Sequence, residues 1–580
     1  MFLKKARKTY KDKVYETYSL TESYREGGRV KHRHIASLGS LSPEEAERIR
    51  LILKAKQVNN IFVGYWSDIV AKAHYKFLDV AVLDTLWGHF GLDDFFNAHP
   101  YAEALAINRC LDPQSKFQIR DWTEGTVLPR LVDYDFYTDC QFKIYRALDN
   151  ITEQDKELQS HLYRRFKEID ITQEKAVFYD ITSSYFEGTK CVLSFKGYSR
   201  DHRPDKEQIT LGLVVTPKGY PFYWKVMPGN TQDVTTIQDL LDVLVERFGI
   251  DDYMLVFDRG MVSSDNLKAI AKKGMTYVSA LDKDEISGLG FIEPKFSDLV
   301  ASKEWQKKLI SSGFKVYDQD LVYREYFNNK MRYILAFSHE RYQEQNKNLK
   351  KRMERAESFL ELCNEDLSQA KRSRNKKKIA SKITKGLRKL RLHKVFDYKL
   401  EPLTLKERTK AGNDVNSFRV TYSINDKELK KHKMLHGITC FVTNQPKEKL
   451  SATSAIGYYR RKHRIEDAFR HIKDNLNLRP FHLTRKERVK AHVTICVLGY
   501  LLLNALEEKL KEHGNHIQGP KVLGVLGKCL INRIGLKGED TYIESITEVN
   551  DQQEELLKQL SMEDLIDQKN LECILEYNTK

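Results

Sequence analysis

From residue 1 to about 60, apolar or β-branched residues alternate with polar ones, as in VYETYSLTESY and RVKHRHIASLG, with a break at Glu26-Gly27-Gly28. A period of two predicts a small β-hairpin, and the residues after it a helix capped at Ser42. Between about 61 and 170 the period turns helical, in LDVAVLDTLWGHFGL and RLVDYDFYTDCQFKIYRALDNI. Arg109, Pro113 and Lys116 fall in a break between helices. Residues 175–186 (KAVFYDITSSYF) form an apolar and aromatic run that reads as a buried strand. Two further strands, 208–216 and 220–227, flank the turn Pro217-Lys218-Gly219. A helix over 235–248, a strand over 253–257, a helix from Ser263 and a strand over 276–281 follow. The order is strand, strand, strand, helix, strand, helix, strand.

Short links among the first three strands and helical crossovers afterwards predict a mixed sheet with helices on its faces. This is an α/β class, and the ribonuclease-H-like catalytic core has this order. From about 285 to 440 the pattern is interrupted. Two β-rich stretches, 315–338 and 397–440, flank a long polar helical segment. Leu349, Met353, Ala356, Leu360, Cys363 and Leu367 keep a narrow apolar stripe there, as do Ile379, Ile383, Leu387 and Leu390. Two helices packed as a hairpin fit both stripes. A strand and turn ending at Asn444 precede a long helix from near Ser451 to Asn477. Ile465, Phe469, Ile472 and Leu476 form its buried stripe. A second apolar helix covers about 485–510. Its run from Val493 to Leu506 is too short to span a bilayer and reads as buried.

Charge narrows the partners. The 580 residues carry a formal net charge of +16 with 41% hydrophobic residues, which describes a globular chain of several domains facing a polyanion, nucleic acid before membrane. Between Arg341 and Lys394 there are 18 Lys or Arg against 6 Asp or Glu, so this segment carries +12 of the total. A solvated spacer does not need such a concentration, and DNA binding accounts for it better. Residues 537–580 invert the sign, with 12 acids and 4 Lys. The eight cysteines form no C-x-x-C pair, so reduced cytosolic thiols are the simplest account. The N-terminus MFLKKARKTYKDK lacks the apolar core of a signal peptide. The expected organisation is a basic β-hairpin region (1–60), a mainly helical DNA-binding region (61–170) and the first part of the core (171–284). An insertion (285–440) with its basic helical segment (341–394), the second part of the core (441–510) and an acidic C-terminal tail (511–580) complete it.

Three acids stand out. Asp180 lies on the first core strand, Asp258 at the end of the fourth, and Glu466 on the helix that resumes the pattern. In a sheet of this order the first and fourth strands are neighbours, so the two aspartates can be close. Paired carboxylates repel, and a divalent cation between them is the usual remedy. Taken singly, Asp180 could cap a turn, Asp258 could pair with Arg259, and Glu466 with Lys462 or Arg470. Lys196, Arg200 and Arg203, in the basic loop after the first strand, are candidate phosphate contacts, while Asp201 and Asp205 there read as loop ion pairs. Asn230 and Asp233 read as structural turn residues. Trp305 reads as core before base stacking.

The blocks YDITSSYFEG, GYSRDHRPDKEQ, MPGNTQD, FDRGM and YYRRKHRIEDAFRHIKDNLNLRPFH resemble the signature blocks of bacterial insertion-sequence DDE transposases, the cut-and-paste group with a β-rich insertion between the second Asp and the Glu. The resemblance runs from about residue 15 to 505. It implies Asp180, Asp258 and Glu466 as catalytic triad and ligands of two Mg²⁺ or Mn²⁺ ions. It also implies Tyr459, Lys462 and Lys473 as members of the group's Tyr-x2-Arg-x3-Glu-x6-Lys pattern, here with Lys462 in place of Arg and His463 in place of an aromatic. Lys462 can neutralise a phosphate but cannot grip it bidentately. The expected DNA contacts are therefore Tyr459, Lys462, Lys473, Arg200 and Arg203, with Lys376, Lys377 and Lys378 in the basic segment. The partners implied are double-stranded DNA, as terminal inverted repeats and target, and a second copy of the chain once assembled on DNA. No membrane is implied, and the expected location is a bacterial cytoplasm, at the nucleoid. Alternative readings are a ribonuclease-H-like DNA nuclease without strand transfer, or a non-catalytic DNA-binding derivative.

Overall fold

The computed structural model describes residues 1–10, 13–55, 66–137, 142–172, 174–188, 190–293, 296–328, 331–406 and 414–575. The expected boundary near 60, residues 138–141 of the helical stretch and the last five residues of the acidic tail lie outside the described residues. The chain forms two units. Residues 1–154, 474–477 and 490–580 make one, and residues 155–473 and 478–489 the other.

The first unit opens on an antiparallel meander of three strands, Phe2–Tyr10, Lys13–Glu26 and Arg29–Gly39, rather than a two-stranded hairpin. Glu26 pairs with Arg29, leaving Gly27-Gly28 as a two-residue turn with φ of 58° and 78°. Such a turn needs positive φ at both positions, which glycine adopts without penalty. The helix Pro43–Ala55 follows, and Ser42 and Glu45 close its first turn reciprocally at 3.1 and 2.8 Å. The helix Lys486–Glu512 is long and apolar enough to cross a membrane, yet 94% of its apolar window is buried inside the protein.

Residues 511–580 are not a free tail. Leu530–Leu536 is the middle strand of a sheet, between Tyr542–Ile546 and Ile69–Lys76. Glu544, its side chain fully buried, accepts hydrogen bonds from Arg130 at 2.6 and 3.1 Å and from Arg533 at 3.0 Å. Part of the acidic excess therefore balances a basic residue, Arg130, more than four hundred positions away, which a local charge count cannot reveal.

The second unit is built on a nine-stranded sheet. Its strands are β1 (Ala176–Tyr185), β2 (Gln208–Val215), β3 (Pro221–Pro228), β4 (Met254–Phe257), β5 (Thr276–Ala280), β6 (Lys315–Val316), β7 (Leu321–Asn328), β8 (Met331–Ser338) and, beyond the helical segment, one at Ile438–Thr443. Across the sheet the order is β6, β7, β8, Ile438–Thr443, β5, β4, β1, β2, β3. Helices α1 (Thr236–Glu246) and α2 (Ser264–Lys272) carry the crossovers into β4 and β5, which pair parallel with β1 and with each other. β1 and β2 are almost wholly buried, so their apolar runs read correctly as interior strands.

The sequence assigns 285–440 to an insertion, whereas β6, β7, β8 and Ile438–Thr443 extend the central sheet. The chain leaves the sheet through short helices between residues 283 and 311, and again between Ser338 and Ile438. There α3 (His339–Ser368) and α4 (Lys376–Lys389) pack as the expected helical hairpin, over the strand pair Phe396–Leu405 and Val415–Ile424. Their stripes meet in one core of Leu349, Ala356, Leu360, Cys363, Leu367, Ile379, Ile383 and Leu387, with Phe396 and Val420 beneath. The β-rich pattern was legible, but a sheet's membership depends on which edge a strand finds, and periodicity does not encode that. Trp305 is buried and stacks on His339, ring centroids 4.8 Å apart, a core contact.

Candidate active site

The sheet register sets the first two acids. In the parallel pair β1 and β4, Tyr179 lies opposite Phe257, so Asp180 and Asp258 are the next residues on neighbouring strands. Asp258 has already left the strand, and its carboxylate accepts the Arg259 N–H at 2.9 Å. The glutamate comes from a helix that is not the continuous rod expected over 451–477. It is two segments, α5 (Ala452–Arg461) and α6 (His463–Arg470), separated by Lys462 and followed by a wider turn over His471–Asn475. Ile465, Ile472 and Leu476 are fully buried and Phe469 nearly so, as the stripe predicts.

Lys462 stands at the centre. Its ammonium lies 3.0 Å from Glu466, 3.6 Å from Asp180 and 3.8 Å from Asp258. Its side chain is only 8% exposed, against 16% for Asp180, 40% for Asp258 and 60% for Glu466. The sequence reading treats Lys462 as a DNA contact; here it is enclosed by carboxylates. Burial alone would release its proton, but the three acids hold that proton more firmly than in free lysine. Tyr459 likewise faces inward. Its hydroxyl donates to Asp258 at 3.3 Å, and burial, aided by that carboxylate, raises its pKa. Tyr459, Lys462 and Glu466 line a cavity of about 300 Å³ with Arg341, Thr439 and His463.

Burial pushes Asp180 up to about 6, against the pull of Lys462 and of the Ile181 N–H, with Asp258 adding repulsion. The sign of the consequence follows. Its ordinary value is 3.8, so between about pH 4 and 6 the folded chain binds more protons than the unfolded one. This contribution to stability is present below about pH 4 and is lost as pH rises through 6. Asp180→Asn should therefore gain stability relative to wild type at neutral pH, on the order of 2–3 kcal/mol, and gain little near pH 4. Urea unfolding of both proteins at the two pH values checks this; equal differences at both would remove Asp180 as the source.

The remaining candidates separate by environment. Lys473 is buried and donates to Asp201 at 2.8 Å, and Arg479 binds the same carboxylate, which is 2% exposed. Burial lowers the Lys473 pKa. Asp201 is thus no solvated loop pair but the anchor of the basic loop to the helix, a role its neighbours in sequence do not signal. Arg200 pairs with Asp233 in the GNTQD turn and its N–H bonds to Ser183 at 2.9 Å. Gly229 of that turn is required sterically, because a Cβ there would sit 1.9 Å from the Gln208 carbonyl oxygen. Arg203 forks onto Asp205 at 3.0 and 2.8 Å and covers the Tyr185 ring. Lys376, Lys377 and Lys378 occupy the first turn of α4, exposed, with no ion pair among the described residues.

Among the described residues no group of three His, Cys, Asp or Glu is already gathered to hold a metal ion. The acids converge instead on an ammonium, as a cation-binding set does when a cation of its own polypeptide fills the centre. Oxygen-only donors, one sheltered and two open to solvent, suit a hard divalent ion.

The mixed sheet thus sets two aspartates side by side, with a helix-borne glutamate joined to them through one lysine. Two family models match this chain: the IS1634 family transposase N-terminal domain over residues 3–61, and the transposase DDE domain over residues 172–502. The chain belongs to the DDE transposases of bacterial insertion sequences. No curated protein matches it. A solved structure of piggyBac transposase, in a synaptic complex with hairpin DNA, is similar at a TM-score of 0.33 and 9% identity, over 74% of this chain and 69% of that one, a likeness too low to bear on function.

Proposed function

We propose that this transposase binds the terminal inverted repeats of its element, nicks the DNA there and joins the freed 3′ ends to target DNA. Asp180, Asp258 and Glu466 are its catalytic residues, in a ribonuclease-H-like core. The observation that carries the reading is the meeting of these three carboxylates, from two strands and a helix, around one buried ammonium. Mg²⁺ or Mn²⁺, as two ions, would be held by Asp180 and Asp258 with Glu466 closing the set. Such a pair supplies charge stabilisation to the attacking and leaving oxygens of an in-line displacement. The chain's own groups do the rest. Asp180 occupies the most sheltered of the three positions, Tyr459 orients Asp258, and the exposed Glu466 can swing without disturbing the sheet. Lys462, once released from the acids, would be free to neutralise a phosphate.

The test is strand transfer of labelled element ends into a plasmid. Joined products in Mg²⁺ or Mn²⁺, none in EDTA, are expected; cutting without joining would leave a nuclease, and full activity in EDTA would end the metal proposal. Assembly as a homodimer on DNA, in the cytoplasm at the nucleoid, belongs to the same reading.

We assign general DNA affinity to the basic hairpin. Lys376, Lys377 and Lys378 sit at a helix N-terminus, where the backbone dipole disfavours cations, so their presence costs the free protein a little stability. Replacing all three by Gln should reduce the salt slope of end-DNA binding by roughly two to three units while leaving nicking at saturating protein nearly intact. A salt titration on one end fragment measures it; an unchanged slope returns the segment to a spacer.

A further inference from the structure

A second and larger cavity, about 870 Å³, opens in the same unit between the central sheet and the helical insertion. Arg259 forms part of its wall, and Arg259 directly follows Asp258, so the cavity begins one residue from the acid cluster. Lys283, after β5, faces it from the sheet side. Arg352 of α3 and Arg391, just past α4, face it from the insertion. Among the described residues none of these four has an ion pair; Arg352 donates only to the Leu390 carbonyl, at 3.4 Å. Asp282 and Asp284 also line it, but Asp282 is occupied as a helix cap, accepting from the Glu285 N–H at 2.8 Å.

The field inside is positive enough to act on its neighbours. Burial lowers the Lys283 pKa, and Arg341, Arg259, Arg352 and Arg391 lower it further. Burial, Lys283, His432 and Arg352 hold His436 down at about 4, and His432 is lowered by burial and by Arg352 and Lys283. The His432 Nδ1 is buried without a hydrogen-bond partner among the described residues. Four cations against the two carboxylates Asp282 and Asp284 leave an excess of positive charge, which costs the free protein stability and which a bound anion relieves. The arrangement is contributed by four separated stretches of sequence, so no run of basic residues announces it.

Resting on the transposase reading, we propose that this cavity holds the backbone phosphates of the DNA strand adjoining the scissile phosphate, with Arg259, Lys283, Arg352 and Arg391 as the contacts. The insertion then does more than add affinity at a distance. It forms one wall of a channel that leads the strand to the acids.

The experiment is a cycle between protein and DNA. Anisotropy measures binding of a labelled duplex carrying the element's terminal repeat and flanking base pairs. A second duplex has neutral methylphosphonates in place of the phosphates on either side of the scissile one. Wild type should lose affinity for the neutralised duplex. The variant Lys283→Gln/Arg352→Gln/Arg391→Gln should bind the ordinary duplex with a salt slope smaller by roughly two to three units and lose little more on neutralisation. Its melting temperature without DNA should equal or exceed that of wild type, because repulsion is relieved. Additive losses, or a lowered melting temperature with weakened binding to both duplexes, would overturn the proposal. Should the triple variant fail to fold, the exposed Arg391→Gln alone carries the same cycle, with a slope change of roughly one unit. If wild type neither binds nor nicks the ordinary duplex, the proposed function itself fails, and this inference with it.

Discussion

Alanine in place of Asp180, Asp258 or Glu466 is expected to lower DNA cleavage by about a thousandfold or more each while leaving affinity for element ends within a few-fold. Each substitution removes a carboxylate from the set that would hold the metal pair, and that electrostatic contribution is worth several kcal/mol of the barrier. The three losses should not add, because the acids act as one unit and the first deletion already disables it. Folding is expected to survive for a stated reason: the side chains make no apolar core, and Asp180 is held in its buried position at a cost rather than a gain. Single-turnover nicking and equilibrium binding on the same end duplex separate the two effects. Cleavage near the wild-type rate in any one variant would strike that residue from the triad, and loss of binding together with folding would mark it as structural.

Lys462→Met is the second large expectation, and it acts on stability. The ammonium balances three carboxylates within 4 Å, and methionine fills similar volume without charge. Removing one partner from a buried ionic cluster leaves the others uncompensated, which typically costs about 3 kcal/mol. The exposure of Glu466 and of Asp258 lets solvent screen their shares, so the loss falls mainly on Asp180. The free variant should melt several degrees below wild type. Added Mg²⁺ should restore it, and its metal-induced rise in melting temperature should exceed that of wild type, in which lysine competes for the same oxygens. Thermal unfolding of both proteins across a Mg²⁺ titration decides the matter. Equal rises would show that Lys462 and the metal do not share a site.

The order of strands β1 to β5 and their crossovers was readable because each is a local pattern: an apolar run, a turn signal, a helical period. The expectation that the first and fourth strands are neighbours came from that order, and with it the closeness of Asp180 and Asp258; that they pair parallel is what the fold adds. The stripe Ile465, Phe469, Ile472 and Leu476 told which face of the helix turns inward, and so on which side Glu466 stands. The spacing of Lys462 and Glu466, four apart, already allowed their ion pair.

What local pattern could not supply were the partners brought from afar. Only the fold lowers the Lys462 ammonium between both aspartates, so a residue read as a phosphate contact becomes the cation of the acid cluster. Only the fold delivers Lys473 and Arg479 to Asp201, Arg130 to Glu544, and the strands at 315–338 to the edge of the central sheet. Hydrophobic periodicity is decided within a few residues and survives in the sequence alone. Charge compensation is decided by whichever opposite charge packing brings within a few ångströms, across a hundred residues or more, and buried electrostatics stay illegible until the chain has folded.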